Sequence, residues 1–326
     1  MAGRLSASSW AHGAQTEARG RNAKFLLRSK EEGLGKVRVA LVLSGGGIWG
    51  TAGIGVLKAL EEWGYQPDLI VGTSSGAIIG SLWAVGMSVD AMTDLALSLN
   101  KRDVPISWRT IGGQLLGQRR LPDALFDAAP LWQKLRPWLG GISVSAVPKP
   151  LWVVATSLTD RSPIVLGRRM DKVNPGFLMG DPDMELIDAV RASSAVPGFF
   201  SPVMVRDQVL VDGGVGDDYP LDVAEMLGAD RALGLWIDEP ARWQLPSPRP
   251  HAFHVLVESM AVMIREISVL RQSTLRMPHW DLRIELTGHT VFARIAEIIE
   301  TGYNSAVESK DAIDRLFTEP GRSRIG

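Results

Sequence analysis

Asp68-Leu69-Ile70-Val71-Gly72-Thr73-Ser74-Ser75-Gly76-Ala77-Ile78-Ile79-Gly80 reads as three joined pieces. Residues 68–71 are a short apolar strand and residues 75–85 a helix. Between them, Gly72-Thr73-Ser74-Ser75-Gly76 has the form G-x-S-x-G, a serine on a sharp strand-to-helix turn with glycines where side chains would clash. The string alone is weak, because serine and glycine are common. The strand before it and the helix after it are the context the motif requires. Gly76, Gly80 and Ala84 recur every four residues, which leaves one helix face nearly bare for close approach to a neighbouring helix or to the sheet.

Upstream, residues 36–43 end in an apolar run and stop at Ser44, as a first buried strand does. Ser44-Gly45-Gly46-Gly47-Ile48-Trp49-Gly50 follows, then a helix over 50–63 closed by Gly64. Backbone N–H groups at such a loop suit a developing negative charge. Dinucleotide folds use the same layout, but they place an acid about 20 residues on, at the end of the second strand. Here Asp68 precedes that strand and Gly72-Thr73-Ser74 occupy its end, so the nucleotide reading fails. Gly45, Gly46 and Gly47, joined by the Ser75 N–H, are left as a candidate oxyanion cradle. A serine nucleophile beside such a cradle reads as acyl transfer.

Downstream, residues 100–150 lack a clean period and read as loop, short helical turns and a candidate lid around Trp108, with a helix over 123–139 interrupted near Pro130 and Pro137. Residues 150–156 are a third strand, with 164–166 as a hairpin partner. A helix over 184–194, a hairpin over 203–211, a helix over 220–227 and a strand over 232–237 follow. The helix over 251–275 carries too many apolar residues for one narrow stripe and is expected to be mainly buried core. A half-exposed strand over 282–286 and one last helix over 290–317 complete the chain. Strands alternating with helices imply an α/β fold, a mostly parallel sheet covered on both faces. The basic stretch 1–36 reads as a partly disordered arm, and 37–326 as a single domain with its motifs in 37–237 and C-terminal helices in 251–317.

A net charge of −1 gives no global field that would favour nucleic acid, and the absence of cysteine rules out disulfides, thiolate metal sites and cysteine catalysis. No apolar run approaches the roughly 18 residues of a spanning helix, and 1–36 lack the apolar core of a secretion signal. The expected location is therefore cytoplasmic. The basic arm and some of the 11 tryptophans offer peripheral contact with a lipid surface.

A serine hydroxyl needs a neighbour to take its proton. His12, His251, His254, His279 and His289 stand beside no motif that would aim them. Asp212 is better placed, at a strand end before Gly213-Gly214, although D-G-G by itself is an ordinary turn.

Together these residues resemble the patatin-like phospholipase family over 37–237: Gly45-Gly46-Gly47 with Gly50, Gly72-Thr73-Ser74-Ser75-Gly76, and Asp212-Gly213-Gly214. Arg191-Ala192-Ser193-Ser194-Ala195-Val196-Pro197 is similar to the block that precedes the family's aspartate. The resemblance implies a three-layer α/β/α sandwich around a central, mostly parallel sheet. It also implies a Ser74–Asp212 dyad without histidine, an oxyanion hole from Gly45, Gly46, Gly47 and Ser75, no cofactor or metal, and hydrolysis of phospholipid, lysophospholipid and simpler ester substrates. Two positions depart from the family pattern. Trp49 stands where Arg or Lys is usual, and Asp217-Asp218-Tyr219-Pro220 stands where D-N-x-P is common. The added carboxylate is expected to cap the following helix or to raise the pKa of Asp212. The alternatives are a Ser-Asp-His triad recruiting His251, His254, His279 or His289, a transacylase on the same scaffold, and a catalytically idle lipid-binding protein.

Overall fold

Val39–Leu43 (β1) is apolar throughout because it is buried on both faces: Leu41 and Leu43 point into one core, Ala40 and Val42 into the other. The computed structural model describes residues 37–107, 124–170, 174–238, 252–285 and 292–320, all within the unit Val37–Pro320. After β1 come a 3₁₀ turn (Gly47–Thr51), α1 (Ala52–Glu62), β2 (Leu69–Thr73), α2 (Ser75–Ala84), α3 (Val89–Leu97) and α4 (Ala129–Leu139). The middle of the chain forms β3 (Leu151–Ser157), β4 (Ser162–Gly167), β5 (Leu178–Met179), α5 (Leu186–Ser193), β6 (Val203–Val205) and β7 (Gln208–Asp212). A single helical turn (Gly214–Asp217) leads to α6 (Leu221–Met226), β8 (Arg231–Asp238), α7 (Ala252–Ser273), β9 (His279–Glu285), α8 (Ile295–Glu308) and α9 (Lys310–Thr318).

Among the described residues the strands form one sheet in the order β5-β4-β3-β2-β1-β8-β9, with β7 on β3 and β6 on β7. The β1–β2, β1–β8, β2–β3, β8–β9 and β4–β5 pairs are parallel, and β3–β4, β3–β7 and β6–β7 antiparallel. One face carries the larger core, packed by α1 to α5 and α8. The other is covered by α6, Tyr219 and Trp236. This is a three-layer α/β/α fold around a mostly parallel sheet.

Strand β3 assembles the centre of the molecule. β4 runs along one of its edges from Trp152 to Ser157. The opposite edge is shared end to end by β2, whose Thr73 pairs with Val154, and β7, whose Asp212 pairs with Ala155. Two strands arriving from opposite directions therefore finish at consecutive β3 residues.

Several boundaries differ from the sequence reading. The helix expected over 123–139 starts only at Ala129, with Pro130 in its first turn, where a missing N–H costs nothing. The last helix is broken at Ser309 into α8 and α9. The expected core helix is largely exposed: of α7's residues only Ser268 is buried, and Val262 and Leu270 are 63% and 64% exposed. The arm 1–36, the lid around Trp108, and His12, His251 and His289 lie outside the described residues.

Candidate active site

Ser74 sits between β2 and α2 with φ 52 and ψ −120, a backbone conformation costly for any residue bearing a Cβ. Its neighbours make the bend possible. A Cβ on Gly72 would overlap the Gly76 backbone, and one on Gly76 the Leu43 carbonyl. The bare helix face anticipated from Gly76 and Gly80 lies on the sheet, with Gly80 over Ile70, Leu43 and Leu151. Ser74 is thus held at the strand ends while α2 begins at Ser75.

Asp212 ends β7 and is 5% exposed. Its Oδ1 accepts the Gly214 N–H at 2.7 Å. Its Oδ2 is buried and accepts no hydrogen bond among the described residues. The Ser74 hydroxyl lies close enough to favour the ionised carboxylate without forming a bond of standard geometry. Burial is the larger influence and raises the pKa from 3.8 to about 6, against the pull of Ser74 and the Gly214 N–H. This is the range of a useful base at neutral pH.

Asp218 does not lift Asp212 as expected: desolvation rather than like charge raises that carboxyl, and the N-cap position of α6 is Pro220, which has no capping side chain. The Asp218 carboxyl lies against Gly45 and Gly214, and its charge acts on fully buried Asp217, where it adds to the effects of burial and Asp222 in raising the pKa.

The glycine loop is only partly available to a ligand. The Gly45 N–H, expected in the cradle, instead donates to the Asp218 carbonyl at 3.1 Å. Gly46 (φ 143) and Gly47 (φ 56) both have positive φ, and a Cβ on Gly46 would run into Ile237. Their N–H groups donate to no acceptor among the described residues. The Ser75 N–H, first in α2, has no partner within its helix. Ser44 pins the loop: its hydroxyl donates to the Gly45 carbonyl (2.8 Å) and accepts the Ile237 N–H (2.9 Å). Trp49 points away, buried in the larger core with the Arg294 guanidinium 5.3 Å from its ring.

Two cavities meet at Ser74. One, of about 730 Å³, is mostly apolar and runs between α2, α3 and α4, with Leu95, Leu131, Phe199 and Phe200 among its walls. Phe199 and Phe200 come from the segment between α5 and β6. The other, of about 260 Å³, holds Asp212, Asp218, Asp238 and Arg265 beside Gly46 and Gly47. Arg265 pairs with Asp238 at 3.5 Å. Helix α7 roofs this smaller cavity through Met260, Ile264 and Arg265, and its Phe253 packs on Phe199, 5.7 Å between ring centres. Neither His254, beside Glu258, nor His279, beside the Met277 carbonyl, lines either cavity.

The three sequence motifs thus converge at one place. All three lie in a stretch that is similar to known proteins. A sequence model of the patatin-like phospholipase family matches residues 41–225. An uncharacterized NTE family protein of Mycobacterium tuberculosis is 30% identical over 233 residues, 72% of this chain and 57% of that protein. The Drosophila melanogaster neuropathy target esterase sws is 27% identical over 199 residues, 60% of this chain and 13% of that protein. Among solved structures, VipD from Legionella pneumophila aligns over 85% of this chain and 67% of its own, with a TM-score of 0.46 and 15% identity. The match spans a little over half the length of the mycobacterial relative and 28% of another from the same organism. With its strand-to-helix serine, glycine loop and strand-end aspartate all inside the matched span, this chain belongs to the patatin-like phospholipase family.

Proposed function

We propose that the protein hydrolyses carboxylic esters of lipids through a Ser74–Asp212 dyad and an acyl-enzyme. The observation that carries this reading is the end-to-end meeting of β2 and β7 on β3, beside an apolar cavity large enough for an acyl chain. A relative that bears the name esterase supports the same reaction class.

Asp212 Oδ2 takes the Ser74 proton as Oγ attacks the ester carbonyl. The N–H groups of Gly46, Gly47 and Ser75 receive the oxyanion, each such donor worth about 3 kcal/mol; Gly45 shapes the loop but donates elsewhere. The C–O bond to the alcohol breaks as that oxygen takes the proton from Asp212. Water then gives a proton to the same carboxylate, attacks the acyl-enzyme and releases the fatty acid, and Ser74 recovers its proton. The acyl chain lies in the larger cavity and the alcohol in the smaller one.

The test is a panel of p-nitrophenyl esters and phospholipids against wild type, Ser74→Ala and Asp212→Ala. Both variants fall to background on every substrate, whereas alanine at His254 or His279 leaves activity. Activity retained in Ser74→Ala, or lost in a well-folded histidine variant, contradicts the dyad.

We further propose peripheral contact with lipid through α7. Its outer face exposes Val255, Leu256, Val262, Met263, Val269 and Leu270, while its inner face roofs the smaller cavity. Glu266, exposed on that outer face, keeps the helix at headgroup depth. Val262→Glu with Met263→Glu abolishes co-sedimentation with phosphatidylcholine vesicles and spares hydrolysis of a soluble short-chain ester. Unchanged sedimentation contradicts it.

A further inference from the structure

The dyad depends on two side chains that come from strands 138 residues apart in sequence (212 − 74). Strand pairing alone brings their backbones to neighbouring β3 residues, and it leaves the strained bend at Ser74 to be held by something else. Ser193, the last residue of α5 and fully buried, touches every part of this junction. Its hydroxyl accepts the Ser74 N–H at 2.8 Å and donates to the Val154 carbonyl at 2.5 Å. Its own carbonyl accepts the Gly213 N–H at 3.2 Å, and two residues on the Ala195 carbonyl accepts the Asp212 N–H at 3.0 Å.

Resting on the dyad reading above, we propose that Ser193 is a positioning residue that sets the alignment of the Ser74 hydroxyl with the Asp212 carboxylate. One hydroxyl does two jobs. As acceptor it satisfies a buried N–H that the positive-φ bend directs away from the sheet ladder. As donor it fixes that bend to the strand on which Asp212 also rests. Alanine leaves the Ser74 N–H and one Val154 lone pair unpaired, and the bend relaxes toward a less strained backbone. A displacement of about 1 Å at a nucleophile is enough to cost about 100-fold in rate. Ser193 touches no reacting atom, and substrate binding in the apolar cavity does not involve it.

The experiment compares wild type, Ser193→Ala, Ser193→Cys and Ser193→Thr on one soluble p-nitrophenyl ester across pH 4.5–8, beside Ser74→Ala. Ser193→Ala lowers kcat about 10- to 100-fold with KM within about twofold. The acid limb of its pH–rate profile moves upward, because a displaced Ser74 hydroxyl no longer favours the ionised Asp212. Ser193→Thr, which keeps the hydroxyl, recovers at least tenfold over alanine. Ser193→Cys, nearly isosteric and a weak donor, behaves like alanine and supplies the reading if alanine does not fold. Loss only in proportion to the folded fraction, with the acid limb unmoved, overturns the proposal, as does full activity in both the alanine and cysteine variants. Hydrogen exchange at the Ser74 amide reads the same tie without any reaction. It accelerates in Ser193→Ala, and unchanged exchange also counts against the proposal. Activity persisting in Ser74→Ala identifies a failure of the dyad reading instead.

Discussion

The two cavities that share Ser74 are built from opposite chemistry. The larger is walled by leucine, isoleucine and phenylalanine from α2, α3, α4 and the Phe199-Phe200 segment. The smaller gathers carboxylates around backbone N–H groups. A wall of hydrocarbon supplies binding energy in proportion to buried area and has no means of moving a proton. Carboxylates kept partly out of water supply a base at a useful pKa, and their burial costs stability. Under the proposed function, Ser74 stands on the boundary because an ester needs both: a place for the chain and a place for the charge.

The largest expected effect tests the cost on the polar side. The folded-state pKa of Asp212 is raised from 3.8 to about 6, so the folded protein holds more protons than the unfolded chain across that window. The contribution of Asp212 to wild-type stability therefore falls as pH rises from about 4 to 6, by about 3 kcal/mol. Asp212→Asn does not titrate, so its advantage over wild type grows to that size by pH 7 and closes near pH 4; urea unfolding at each pH measures it. Next comes the apolar side. Leu95→Trp fills part of the larger cavity, and with about 0.8 kcal/mol lost per excluded methylene it lowers the palmitate-to-butyrate ratio of kcat/KM about 100-fold. Smaller still is the pH dependence itself: wild-type kcat/KM falls about tenfold per pH unit below an apparent pKa of about 6, as Asp212 gains a proton and ceases to be a base. A profile flat to pH 4.5 would remove Asp212 from the reaction. The smallest effect separates the cavities: Met260→Ala, on the polar cavity's wall, shifts the chain-length ratio by less than about twofold.

What was legible in the sequence follows the same division. Ser74 and Asp212 could be found because strand-end geometry forces glycines around them, and glycines at fixed offsets are visible in one dimension. The role of Gly45 could not, because its N–H is taken by the carbonyl of Asp218, which the chain reaches only after six more strands have been laid down. Helix α7 misled for a different reason. Val255, Leu256, Val262, Met263, Val269 and Leu270 are apolar whether they face a core or an outer surface, and only the layer order of the fold decides between these. Ser193 lay in a block that resembled the family pattern, yet its ties to Ser74 and Val154 exist only once β2, β3 and α5 are packed together.

The central claim is that the hydroxyl on the β2–α2 bend is the nucleophile and that the β7 carboxylate activates it. Peptide mass spectrometry after treatment with a fluorophosphonate tests it most directly. The account predicts a phosphonyl adduct on Ser74 in wild type and little or none in Asp212→Ala under the same conditions. An adduct on any other residue, or ester hydrolysis by protein that stays unlabelled at Ser74, would contradict it.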